Sequence, residues 1–310
     1  MSRAGATLVT GAGGCIGAWV LRQLVTEGAA VVAFDLQEDR RRLALLLAPE
    51  QIEAVTWETG DVADPAVVER LFDRHQIGAA IHLAALQAPF CRADPPLGAR
   101  VNVLGTVNLL EAVAARADLV GPFVYASSVA AASREGGEHP ETVYGVYKRA
   151  CEGAADVYFR ERGVASIGLR PHTVYGAGRD QGLTSAPTLA MRAAGAGEAY
   201  EIPFTGRLTM QYAPDVAAAF VAASRLEGYT DAASFDLPGE TVDVAAVIAA
   251  IEVAVPGAAI SAAGSELPFP PDVSPSEDAP FAGSLNPTPL LDGVRDTVKM
   301  FATLTLSGRP

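Results

Sequence analysis

The chain has 310 residues, half of them hydrophobic, which suffices for one large or two modest domains around a substantial core. A formal net charge of −13 and a pI near 4.8 argue against nucleic acid or an anionic membrane surface as a partner. No apolar run approaches the roughly 18 residues of a membrane span, and residues 1–5 carry no signal-peptide core, so the expected location is the cytoplasm. The three cysteines, Cys15, Cys91 and Cys151, are too scattered for a disulfide framework or zinc-ligand spacing, and no metal site is expected.

Residues 6–17, ATLVTGAGGCIG, begin as an apolar strand and run through Thr10 into glycines at 11, 13, 14 and 17; the amphipathic run 18–26 predicts a helix. Strand, glycine turn and helix in that order form a phosphate-binding unit, in which backbone N–H groups at the helix N-terminus meet a pyrophosphate. Gly11, Gly14 and Gly17 fit the three roles of tight turn, backbone approach and helix-to-strand contact. Cys15 in this turn reads as a small packing residue. A second strand, 30–34, ends in Asp35, about 20 residues on, where a carboxylate can hold a ribose 2′-hydroxyl and repel a 2′-phosphate. NAD is therefore favoured over NADP, with Arg40, Arg41 and Arg42 keeping NADP as the alternative.

Further strands at 53–58, 79–84 and 120–126 alternate with helices at 65–75, 95–117, 143–163 and 184–196, the pattern of an α/β parallel sheet covered on both faces. Asp61 stands either as an acceptor for an adenine amino group or as a solvated loop carboxylate. Ala84 and Ala85 are small residues at the sheet's carboxyl edge, where a ligand or a helix can crowd them. His82, inside an apolar strand, reads as a hydrogen-bonded core histidine, and Asn102 as either an exposed side chain or a tie for backbone near the site. The strand 120–126 delivers Ser127 and Ser128 to the same edge. Tyr144 and Lys148 follow at i, i+4 spacing on one helix face. An ammonium beside a phenol favours the phenolate, so the pair can exchange a proton with a substrate alcohol while a serine orients its oxygen. Tyr125 and Tyr147 lack a lysine four residues on. Downstream, the polar loop 176–187 offers Arg179, Gln181 and Ser185 to a carboxylate or polyol; Gln87 and His172 are comparable substrate candidates. Residues 264–289, rich in proline, predict an extended surface crossing before a last helix at 291–304.

Together TGAGGCIG (10–17), FDL (34–36), GDVAD (60–64), HLAA (82–85), VNVLGT (101–106), YASS (125–128), YGVYK (144–148), LRPHTVYG (169–176) and the segment at Asp215 resemble the extended branch of the short-chain dehydrogenase/reductase superfamily, the NAD-dependent epimerase/dehydratase family. The resemblance implies a Rossmann-type doubly wound sheet over residues 1–167 and a smaller substrate-binding lobe within 168–310, interleaved with late strands of the sheet. It implies Ser128, Tyr144 and Lys148 as the catalytic set, with Ser128 also on the substrate. The cofactor set becomes Gly11, Gly13, Gly14, Cys15, Ile16, Gly17, Asp35, Leu36, Asp61, Val62, Leu83, Ala84, Ala85, Asn102, Tyr144, Lys148, Pro171 and Thr173. Where epimerases of this kind have an asparagine before VYG, the chain has Thr173; where they have an arginine ahead of Asp215, Arg207 is one position off. After Ser128 come Val129 and Ala130 in place of a dehydratase's acidic pair. The expected function is hydride transfer between NAD and the secondary alcohol or carbonyl of a small polar substrate, a sugar or sugar acid. The alternatives are a nucleotide-sugar epimerase that holds its cofactor tightly and a non-catalytic NAD sensor. By the same resemblance, the helices at 95–117 and 143–163 pair into a homodimer interface.

Overall fold

The computed structural model describes residues 5–116, 121–133, 139–272 and 274–306. Its first half alternates strand and helix: β1 (Ala6–Thr10), α1 (Cys15–Thr26), β2 (Val31–Asp35), α2 (Arg41–Ala44), α3 (Pro49–Glu53), β3 (Thr56–Thr59), α4 (Pro65–Arg74) and β4 (Ile77–His82). The chain continues through α5 (Ala88–Ala93), α6 (Pro95–Ala99), a π turn at Arg100–Leu104 and α7 (Gly105–Ala114). After these come β5 (Phe123–Ala126), a 3-10 turn at Val129–Ala131, α8 (Val143–Arg162) and β6 (Ser166–Arg170). The second half holds β7 (Thr173–Tyr175), α9 (Ala186–Ala196), β8 (Tyr200–Ile202), β9 (Arg207–Tyr212), α10 (Ala213–Ser224) and β10 (Ala232–Asp236). It closes with β11 (Glu240–Asp243), α11 (Val244–Ala254), β12 (Ile260–Ala262) and α12 (Leu290–Leu306).

Seven strands pair in parallel in the order β10-β6-β5-β4-β1-β2-β3, a doubly wound Rossmann sheet. The order reverses between β1 and β4, which opens a crevice at their carboxyl ends. Successive residues serve opposite faces: Val9 packs with Trp19, Leu21 and Phe220 under α1 and α10, whereas Leu8 packs with Phe72, Leu109 and Cys151 under the helices of the other face. A third apolar cluster gathers around the three-stranded sheet β11-β9-β7 with α9, α11 and α12, including Met191, Phe204, Val247 and Val294. This lobe lends Pro268 and Phe269 to the wall of the crevice, and among the described residues no helix is long and apolar enough to cross a membrane.

Local chemistry explains the boundaries. Asp64 caps α4 by accepting from the Ala66 N–H, with Pro65 at the first helical position. Thr142 caps α8 through the Gly145 N–H, and Gly163 ends it at φ +69°. The strand expected at 53–58 begins only at Thr56, because Pro49 starts a helical turn and the Gln51 side chain accepts from the Ala48 N–H. The helix expected over 95–117 is divided by the π turn, which contains Asn102. The helix after the glycine turn starts at Cys15, three residues earlier than its apolar periodicity suggests, and so brings its N-terminus onto the turn.

That turn depends on two glycines. Gly11 has φ +67°, and a Cβ there would lie 2.6 Å from the Ala84 nitrogen. At Gly17 a Cβ would lie 2.3 Å from the Gly11 carbonyl oxygen, a backbone atom unable to swing away. Replacing Gly17 by Ala is expected to destabilise the fold by about 2 to 3 kcal/mol, the usual range for forced overpacking, read as a lower melting temperature in calorimetry.

Candidate active site

The crevice is a cavity of about 430 Å³ running from Asp35 and Leu36 past the glycine turn to Ser128, Tyr144 and Phe269. At one end Asp35 ends β2, its two carboxylate oxygens accepting from the Gly13 N–H (2.9 Å) and the Leu36 N–H (2.7 Å). Burial raises the carboxyl above its ordinary range, and these two donors oppose that shift. Asp61 accepts from the Ala63 N–H and pairs with Arg100 at 2.6 Å on the same stretch of wall.

The middle is backbone. Gly14 is the N-cap of α1 and offers no side-chain cap, so the first-turn N–H groups are left for another acceptor. A Cβ at Gly14 would meet only the Gly11 oxygen at 3.1 Å and otherwise stand in the cavity. Small residues Ala84 and Ala85 face this turn. A glycine cradle, an uncapped helix N-terminus and a carboxylate at the end of β2 fit a dinucleotide. Burial pushes the Cys15 thiol up to about 11, so it stays protonated.

Ser128, Tyr144 and Lys148 line the other end, past the end of β5. Buried Lys148 donates from Nζ to the Ala126 carbonyl at the end of β5 (2.7 Å), and the same Nζ is 5.7 Å from the Tyr144 ring centre. Ser128 Oγ accepts from the Ala130 N–H at 3.2 Å, which leaves its own hydrogen for another acceptor. Gly145 makes the approach possible: a Cβ there would sit 2.0 Å from the Ala130 oxygen, so α8 can reach the turn after Ser128 only without one. Tyr125 is buried against Ser234, and Tyr147 donates to the Pro95 carbonyl, so neither competes with Tyr144. Below this end Glu152 accepts from Ser127 Oγ (2.5 Å) and from Arg170 Nε and Nη2, and Arg170 also reaches Asp236, tying α8, β6 and β10 together. Sequence reasoning passed over this network because its members are 18 to 66 residues apart.

Of the residues expected on substrate, Gln87, Ser128, His172, Arg179 and Gln181 all line the cavity. Arg179 gives Nη2 to Thr184 (2.9 Å), while Arg179 Nε and Gln87 Oε1 are buried and find no partner among the described residues. Ser185 does not line the cavity and donates to the Gly182 carbonyl. Three expected cofactor residues also stand behind the wall. Gly13 faces Asp35 with its N–H; Asn102 clasps both backbone groups of Leu86 (2.7 and 2.9 Å); Thr173 is fully buried in β7 beside His172 Nδ1. Asn102 therefore ties site backbone, as one of its two readings held, and is not exposed. Wall residues that local sequence did not single out include Asp180, Pro268 and Phe269, and of the three arginines kept for NADP it is Arg42 that lines the cavity. Arg42 is turned inward, donating to the Gly13 carbonyl (2.7 Å), the Gly178 carbonyl (3.0 Å) and Asp180 (2.6 Å).

His172 donates from Nε2 to the Pro270 carbonyl (2.7 Å), which leaves Nδ1 as acceptor from the Thr173 hydroxyl, and burial lowers its pKa to about 4. The folded value lies below the ordinary 6.5, so the stability associated with neutral His172 is complete above pH 6.5 and is lost as pH falls toward 4. Denaturant melts between pH 6 and 5 are expected to lose about 1 kcal/mol less stability per pH unit in His172→Gln than in the unchanged protein.

The sequence matches the NAD dependent epimerase/dehydratase family over residues 7–231. UDP-glucuronate 4-epimerase 3 of Arabidopsis thaliana is 32% identical over 186 residues, which are 54% of this chain and 42% of that relative, so the chain spans about two-fifths of its length. A solved L-threonine dehydrogenase of Cupriavidus necator superposes with a TM-score of 0.83 at 22% identity, covering 96% of this chain and 99% of its own, and so shares the fold. The UDP-glucose 4-epimerase of Thermus thermophilus in complex with NAD superposes at 0.75 with 26% identity, covering 96% and 98%.

Proposed function

The chain belongs to the NAD dependent epimerase/dehydratase family, and we propose that it is an NAD-dependent oxidoreductase acting at the secondary alcohol or carbonyl of a small sugar acid. The single observation that carries this reading is that one cavity is lined both by Ser128, Tyr144 and Lys148 and by the glycine turn and Asp35. The glycine turn and the N-terminus of α1 would hold the pyrophosphate, Asp35 and Leu36 a ribose, and Asp61 and Val62 the adenine edge. NAD, when bound, supplies the hydride acceptor.

The chain's own groups handle the proton. Tyr144 takes it from the substrate hydroxyl, and the nearby Lys148 charge stabilises the phenolate. Lys148 spends one N–H on the Ala126 carbonyl, which orients the ammonium and leaves two donors for the cofactor ribose. Ser128, with its hydrogen free, fixes the substrate oxygen. Arg179 and Gln87 line the cavity, each with a polar atom that has no partner among the described residues, and suit a carboxylate and a hydroxyl. A small substrate is favoured because the positions an epimerase would use for a nucleotide diphosphate do not reach the cavity: Thr173 is buried, and Arg207 is exposed and paired with Asp272. The likeness to UDP-glucuronate 4-epimerase supports the second reading, epimerisation of a nucleotide sugar with the reduced cofactor retained.

Purified protein with NAD, offered a panel of aldonates, uronates, free sugars and UDP-sugars, is expected to release stoichiometric NADH with one sugar acid. Interconversion of a UDP-sugar without NADH release would favour the second reading. With that substrate, Tyr144→Phe is expected to lower kcat by about 10² to 10⁴ while NAD affinity is kept; full activity would remove Tyr144 from the mechanism.

We also propose a homodimer. Leu104, Val143, Val146 and Val157 are large apolar side chains left exposed on the π turn and α8, which pack side by side. Light scattering at micromolar concentration is expected to give twice the chain mass, and Val146→Glu to shift it toward the monomer.

A further inference from the structure

We propose that Asp180 helps to select NAD over NADP by occupying Arg42, whose guanidinium faces the Asp35 end of the cavity; the inference rests on the dinucleotide reading above. Three consecutive arginines follow β2, the place from which a basic side chain can accommodate a 2′-phosphate. Their surroundings separate them. Arg40 pairs with Glu38 and Glu53 and lies over the Trp57 ring, and Arg41, 77% exposed, pairs with Asp39. Arg42 lines the cavity, with its side chain only 11% exposed, and its charge acts on Asp35. It is the member of the three placed to meet a phosphate on the ribose that Asp35 would hold.

Arg42 is already engaged at every nitrogen. Nη1 donates to the Gly13 carbonyl, Nε to the Gly178 carbonyl, and both Nε (3.1 Å) and Nη2 (2.6 Å) to Asp180 Oδ1. The carboxylate neutralises the guanidinium and takes the fork that would otherwise grip a phosphate. A 2′-phosphate at this end would therefore meet Asp35 and Asp39 without a free cation, and would have to displace Asp180 to gain one. Asp180 comes from the loop after β7, 138 residues from Arg42 in sequence, beside the Arg179 and Gln181 offered to substrate.

Isothermal titration with NAD and with NADP tests this on the whole protein, on Asp180→Asn, and on Asp180→Asn combined with Arg42→Gln. Asp180→Asn keeps the size of the side chain and removes its charge. The expected result is NADP binding about 5- to 10-fold tighter, the size of one charge-assisted contact, with NAD affinity within about twofold, and loss of the NADP gain when Arg42 is also replaced. An unchanged NADP affinity, an equal fall for both dinucleotides, or a gain that survives Arg42→Gln would overturn the proposal. Binding of neither dinucleotide to the unchanged protein would instead remove the dinucleotide reading, and this inference with it. Melting temperatures of the variants check that each is folded.

Discussion

The hydroxyl of Thr10 holds the switch point of the sheet together. Its oxygen accepts from the Leu83 and Ala84 N–H groups, both at 3.2 Å, and so uses its lone pairs on the chain leaving β4. The one hydrogen it has left goes to His82 Nδ1 at 2.7 Å. His82 must then carry its own hydrogen on Nε2, which faces Thr106 Oγ1, and Thr106 in turn donates to the Asn102 carbonyl. Every member has one available role, and the imidazole is neutral; burial lowers its pKa to about 3. The chain of bonds joins the ends of β1 and β4 to the π turn, where Asn102 holds Leu86. The cavity wall from Leu83 to Leu86 is thereby fixed without any of its residues having a polar side chain.

A second polar network fixes the Ser128 end of the cavity in the same manner but with charge. Glu152 receives Ser127 and two nitrogens of Arg170, and Asp236 shares the remaining side of the guanidinium. A partly buried carboxylate would be costly alone, and here its oxygens are satisfied by a bidentate partner. The consequence is positional. α8 is locked to β6 and β10 at Glu152, one helical turn beyond Lys148, while Gly145 lets its first turn touch the segment after Ser128. Tyr144 and Lys148 are held between these two constraints.

The loop from Gly176 to Gly182 connects the two ends. Its first part lies on α1, where Trp19 donates from Nε1 to the Ala177 carbonyl at 2.9 Å, and its second part is gripped by Arg42. Glycines at 176, 178 and 182 all have positive φ, which lets the chain change direction three times within seven residues. The loop that carries Arg179 and Gln181 is consequently positioned by α1 and by α2, not only by the lobe from which it is drawn.

Much of this was legible in the residues themselves. The glycine turn, the acid ending β2 and the Tyr-Lys pair are short-range patterns, in which spacing along one strand or helix dictates what can face a common ligand. They identified the parallel sheet, its carboxyl edge and the two ends of the cavity, and His82 as a core residue. Tertiary structure decided which of those side chains reach the cavity. Asn102, Thr173 and Ser185 lie in the right segments yet do not line the cavity, since a segment's place in the fold does not determine the direction of each side chain, and Gly13 turns its N–H to Asp35. The joining of Arg42 to Gly178 and Asp180, 136 and 138 residues away, has no local signature at all. An arginine and an aspartate on separate loops read alike as solvated charges, and only the packing of the lobe over α1 and α2 makes them a pair.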